Sequence, residues 1–139
     1  MVAQADDVGL AEAGGRWILP IGEGKVTQLR IDYGFTLLVD SWIEIRIETA
    51  FTYGMEDGVR RFEPSDASGL APLLRLHQAT VTSAEIRKDG RLAVAFADGA
   101  VLEVLADERY EAFRVTGSLP PVHRGFNLVA LPGGGLARF

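Results

Sequence analysis

The chain has 139 residues, 47% of them apolar and 24% charged, which fits one globular domain with a sizeable core. Fourteen Lys and Arg against nineteen Asp and Glu leave a net charge of -5. With no basic run present, that balance argues against a nucleic-acid partner, which needs a concentrated positive surface. Cysteine is absent, and this removes disulfide scaffolds, thiolate metal sites and thiol nucleophiles.

Residues 1–15, "MVAQADDVGLAEAGG", have no basic start, no unbroken apolar core and no sustained period. They read as a mobile lead-in rather than a secretory signal, and the domain is expected over 16–139. No apolar run approaches the roughly 18 residues of a membrane span. The expectation is a soluble cytoplasmic protein without membrane contact.

From Arg16 the dominant period is two. Gly22-Glu23-Gly24 and Tyr33-Gly34-Phe35 divide "RWILP", "KVTQLRID" and "FTLLVD" into short strands. "WIEIRIETAF" then sets Ile43, Ile45, Ile47 and Phe51 on one face and Glu44, Arg46 and Glu48 on the other. That alternation belongs to a half-buried strand of an antiparallel sheet, and its charged face reads first as a solvated surface held by cross-strand pairs.

"SGLAPLLRLH" breaks the rhythm. Leu70, Leu73, Leu74 and His77 fall at the i, i+3, i+4, i+7 spacing of one α-helical face, with Ser68 as N-cap and Pro72 in the first turn. One short helix is predicted near 69–77, covering a sheet edge or barrel end.

Two Asp-Gly turns follow, Asp89-Gly90 and Asp98-Gly99, on either side of "RLAVAF", where Leu92, Val94 and Phe96 point inward. Asp-Gly between alternating runs is a strong hairpin signal because Gly takes positive φ without a Cβ clash. The result is a three-stranded meander over about 80–105, with "YEAFRV" expected as its fourth strand. If Tyr110 opens a strand there, Phe113 and Val115 draw Glu111 toward the core side. It then either sits at the strand end and reaches water or an arginine, or serves as a structural or binding carboxylate at the sheet rim, with Tyr110 and Arg114 as an outward contact patch.

At the end of the chain Pro132-Gly133-Gly134-Gly135 could in form be a phosphate-cradling loop. Such loops use converging N–H groups at the start of a following helix. Only four residues follow Gly135, and no Lys, Ser or Thr accompanies the glycines. A turn after the strand "FNLVAL" is the reading.

The chemistry-bearing residues are few. His77 and His123 are the only histidines, and neither has a carboxylate at ligand spacing, so no metal site and no cofactor are predicted. Ser41, Ser65, Ser68, Ser83 and Ser118 show no base at a recognisable offset, and no catalytic residue is assigned. Dispersed carboxylates such as Asp32, Asp40, Glu44, Glu48 and Glu111 leave a hydrolase open. His123 in the loop "PPVHRGF", beside Arg124, is the one histidine placed to titrate in an exposed setting. Tyr110, Glu111, Arg114, His123 and Arg124 are therefore the candidate binding residues.

Trp17-Ile18-Leu19, "GRLAVAFADG" at 90–99, "YEAF" at 110–113 and "PGGGLARF" at 132–139 together resemble a family of small uncharacterised actinobacterial proteins, a domain of unknown function. Where that family often carries Trp, this chain has Phe113 and Phe139, which keeps an aromatic. The resemblance implies no activity. By analogy of size and class, small β proteins of this kind also include immunity proteins of bacterial toxin systems.

The expected fold is mainly β: an antiparallel, meander-rich sandwich or partly open barrel with one short helix. The leading functional expectation is a non-catalytic interaction protein acting on a partner protein, a basic one if its acidic surface makes the contact. Edge pairing also allows a homodimer. The alternatives are a small-molecule-binding β-barrel, with ligand between sheet and helix, and a carboxylate-dependent hydrolase.

Overall fold

The computed structural model describes residues 10–55, 57–119 and 124–138. Among these residues thirteen strands form one open antiparallel sheet. The first half of the chain supplies β1 (Ala11–Ala13), β2 (Arg16–Ile18), β3 (Gly24–Ile31), β4 (Phe35–Val39), β5 (Ile43–Ile47), β6 (Phe51–Met55) and β7 (Gly58–Phe62). A 3-10 helix, Ser68–Leu76, follows. Then come β8 (Thr80–Arg87), β9 (Leu92–Phe96), β10 (Val101–Val104), β11 (Phe113–Leu119), β12 (Arg124–Ala130) and β13 (Leu136–Arg138). The spatial order is β13-β12-β11-β5-β4-β3-β8-β9-β10-β6-β7, with β1 and β2 attached beside β8.

The sheet bends where β3 meets β8. Only Gly24 and Lys25 pair with β8; beyond a register shift at Val26, β3 turns to pair with β4. β2 then takes its place along β8, setting Trp17 opposite Ile86. Such irregularities bend a strand and increase its twist. The two halves fold toward one another, so that Phe35 of β4 stacks on Phe51 of β6 at 5.6 Å, although four strands lie between β4 and β6 in the sheet order. Phe51 stacks in turn on Phe62 of β7.

The inward residues are those that the two-residue period selects. Ile43, Ile45 and Ile47 are fully buried, as are Leu92 and Val94, with Phe96 nearly so. Phe51 shares their core but not their strand, because the chain turns at 48–50 and crosses to the other half. Both Asp-Gly turns form hairpins with Gly90 and Gly99 at positive φ. Within the expected lead-in, Ala11–Ala13 pairs with β2 and Leu10 is buried.

Two expectations are corrected. "YEAFRV" does not extend the meander: β11 begins at Phe113 and lies between β5 and β12, while β6 occupies the place beside β10. The cause is a turn at Asp107, whose Oδ1 accepts the N–H groups of Arg109 (2.8 Å) and Tyr110 (3.0 Å). An Asx turn of this kind removes those donors from any ladder. The helix is also not α. With three residues per turn, Leu70, Leu73 and Leu76 stack inward, whereas Leu74 and His77 lie on the solvent side. Ser68 does not cap it; Asp66 does so from outside, its Oδ1 accepting the Gly69 N–H at 3.2 Å.

Candidate functional site

The outward face of β3, β4 and β5 is a ladder of charges. Arg30 donates to Glu44 at 2.7 Å and Arg46 to Asp32 at 2.7 Å, with Glu48 3.6 Å from Arg46. Hydrogen bonding from Arg46 is the main reason the Asp32 carboxyl lies below its ordinary range, and the Arg46 guanidinium is raised in return. Every acid in this ladder faces an arginine, so it reads as the solvated surface that the sequence suggested.

The predicted contact residues divide. Tyr110 is exposed in the loop after the Asp107 turn, and Glu111, also in the loop, lies 3.9 Å from Arg114 on β11. Glu111 is thus exposed and lies beside an arginine, as the strand-end reading expects, although in the loop before β11. Arg124 opens β12 opposite Leu119, while Arg114 pairs with Val129. Five residues of strand, roughly 17 Å, separate those two positions. His123 lies outside the described residues.

The glycine turn is a docking element. Gly133, Gly134 and Gly135 all take positive φ. Gly133 N–H donates to the Asp107 carbonyl at 2.6 Å, Gly134 N–H to Leu131 and Gly135 N–H to Asp89 at 2.9 Å. All three donors are used inside the protein, which leaves no cradle for a phosphate. The turn ties β13 to the β8–β9 hairpin and to the loop carrying Tyr110.

A family model described as "Family of unknown function (DUF6188)" matches residues 17–139. The chain belongs to this family. No curated protein and no solved structure matches it.

The DUF6188 domain has a further concavity elsewhere among the described residues, on the outward side of β10, β6 and β7. Two adjoining open clefts of about 460 Å³ each share Thr52, Val59 and Glu103. Tyr53 and Leu102 point to the core, so Gly54, Val101 and Val59 lie on the opposite face, with Gly54 paired to Val59. Three apolar side chains stand exposed along this surface: Val59 at 72%, Leu105 at 58% and Val101 at 39%. Charged pairs frame them: Arg91 with Glu103, Arg75 with Asp98, and Arg61 with Glu63. Tyr53 reaches the cleft from beneath; burial, then the Asp98 carboxylate, push its phenol up, and Arg75 opposes them.

Sequence reading passed over this surface. The available signal was Gly54 inside "FTYGM", a glycine in a strand with no turn partner. Among the described residues no group of three or more His, Asp or Glu converges as a metal site, and no helix is long and apolar enough to cross a membrane. The space under the helix is occupied by Leu70, Leu73 and Leu76.

Proposed function

We propose that this DUF6188 chain is a non-catalytic protein-binding domain whose contact surface is the outward face of β10, β6 and β7. One observation carries this reading. Val59, Val101 and Leu105 form an exposed apolar surface over a concave floor, ringed by the three arginine–carboxylate pairs. An apolar centre with a polar rim is the anatomy of protein interfaces, and aliphatic side chains grouped in this way on a small domain mark contact sites. The loop with Tyr110 and Glu111, together with Arg114 at the start of β11, is a second surface of interface-prone residue types, joined to the first through Asp107, which also walls one cleft.

Affinity capture from the native extract at low salt tests the proposal. The wild-type chain should retain a partner that Val59→Glu and Val101→Glu both lose while melting as wild type does. Charge reversal at Arg114 asks whether the second surface shares that partner. Absence of any co-purifying protein, or equal capture by both glutamate variants, would overturn the reading.

A further inference from the structure

β7 is the last strand of the sheet, and among the described residues only β6 pairs with it. Four of its five residues, Gly58 to Arg61, are exposed, and one backbone edge is open. Its side chains are not those of an idle edge. Val59 and Arg61 stand on the outward face, in register with Gly54 and Thr52. Arg60, in register with the buried Tyr53, occupies an inward-face position at the rim, where its guanidinium lies 5.5 Å from the centre of the Phe62 ring. The open edge thus carries one cation on each face and no acid within the strand. Glu63, just past its end, lies 3.0 Å from Arg61, so an acid of a partner opposite Arg61 shares or takes over that contact.

Beside it lies a hollow that the fold does not require. Gly54 is in mid-strand, its φ is not positive, and an added Cβ would meet nothing closer than 3.8 Å. By contrast, a Cβ on Gly117, in mid-strand on β11, would stand 2.9 Å from the Trp42 carbonyl oxygen. Packing explains Gly117 and does not explain Gly54. A glycine that weakens a strand without packing need is characteristic of a place where a ligand or a second backbone comes close.

We infer that β7 accepts an extended segment of a partner protein as an added antiparallel strand, one that reads acid–acid–apolar. The two acids sit opposite Arg61 and Arg60, and a large apolar side chain opposite Val59 leans across it into the hollow above Gly54. Strand addition supplies affinity through backbone hydrogen bonds and specificity through alternate side-chain pockets. The arginines also select against the obvious competitor. A second copy paired along the full length of β7 centres on Arg60 and sets like charges together, the usual guard against edge-to-edge association. This inference rests on the proposed binding surface and specifies the partner's chemistry.

The test is selection of a phage-displayed random decapeptide library on the immobilised full-length chain. Enriched sequences should carry two adjacent acids followed by an aromatic or large aliphatic residue. A synthetic peptide of that consensus should bind saturably, at least tenfold more weakly to Arg60→Glu/Arg61→Glu and to Gly54→Val. Thermal melting of each variant as for the wild type serves as the folding control. Hydrogen exchange should slow at the β7 amides when the peptide binds. Enrichment of basic or non-extended sequences sensitive to Val59→Glu but not to arginine reversal would overturn the strand-addition model and leave the binding surface standing. Failure to enrich any sequence, or a dimer in sedimentation that the arginine reversal leaves intact, would also overturn it.

Discussion

The Arg46 guanidinium lies directly over Gly34: a Cβ at Gly34 would stand 2.7 Å from Arg46 Cζ. The missing side chain lets Arg46 reach back across the β3–β4 turn to Asp32, and that contact sets the Asp32 carboxyl. The obstructing atoms belong to the end of a flexible side chain, so Gly34→Ala should fold normally while displacing Arg46. Carbon-detected NMR titration should then find the Asp32 pKa moved up toward its ordinary 3.8. An unchanged value would show that Arg46 reaches Asp32 without the space above Gly34.

The same pair shapes the acid limb of stability. Asp32 is held below its ordinary value in the folded chain, first by Arg46, so on acidification the unfolded chain takes up this proton earlier. The contribution is complete above the unfolded value of about 3.8 and fades as pH falls through the lower folded one. Arg46→Met keeps much of the aliphatic stem and removes the charge. Urea unfolding midpoints for this variant should fall less between pH 6 and pH 3 than those of the wild type. Parallel curves would remove Arg46 from the acid response.

Much of the fold can be read from local pattern, because burial on one sheet face leaves a two-residue trace. Ile43-Glu44-Ile45-Arg46-Ile47 and the two Asp-Gly hairpins carry that trace plainly. Which strands lie side by side does not follow from it. β6 and β11 exchange the neighbours a simple meander would give them, since each pairing is settled by a crossing of the core and not by residues next to it in sequence. The exposed apolar surface is hidden for a related reason: Val59, Val101 and Leu105 look like ordinary strand apolar residues until the sheet shows that they face outward. The helix was misread by one turn's phase. Its leucines satisfy both a 3.6-residue and a 3.0-residue period, and only contact with the core separates the two.

That ambiguity gives a direct measurement. Leu73 is fully buried and Leu74 is 55% exposed. Leu73→Ala should cost about 2–5 kcal/mol, the range for emptying a packed leucine site. Leu74→Ala should stay within about 0.5 kcal/mol of wild type, as surface changes do. Equal losses in chemical denaturation would restore the α-helical stripe in which both leucines face the core.

Asp40 and Ser41 sit at the β4–β5 turn with φ of 53° and 63°, and Trp42 N–H donates to the Val39 carbonyl at 3.2 Å. Two successive left-handed residues suit a tight hairpin, and glycine is the favoured occupant of the second position. Asp40 has a reason to remain, since its Oδ1 accepts the Lys25 N–H at 2.9 Å. Ser41 makes only a long contact, 3.3 Å, to the Thr27 hydroxyl. Ser41→Gly should therefore raise stability by about 0.5–1 kcal/mol, and Asp40→Gly should gain less or lose. Calorimetry on both variants would decide the order.

The two Asp-Gly hairpins offer an internal control for the role of the terminal glycine turn. Gly90 and Gly99 have nearly the same φ, 100° and 91°, so alanine at either position meets similar backbone strain, about 1–3 kcal/mol. Their surroundings differ. A Cβ at Gly99 meets nothing within 4 Å, whereas one at Gly90 would stand 3.1 Å from both the Ala106 Cβ and the Gly135 carbonyl oxygen. Gly90→Ala must push the terminal turn away or strain against it, and overpacking of this kind adds about 1–3 kcal/mol. The excess of Gly90→Ala over Gly99→Ala in urea unfolding therefore measures how firmly "PGGG" is seated. Hydrogen exchange should speed at Gly135, whose N–H is held by Asp89, in the first variant only. Matching losses from the two substitutions would mean that the turn rests on the hairpin without contributing to its stability.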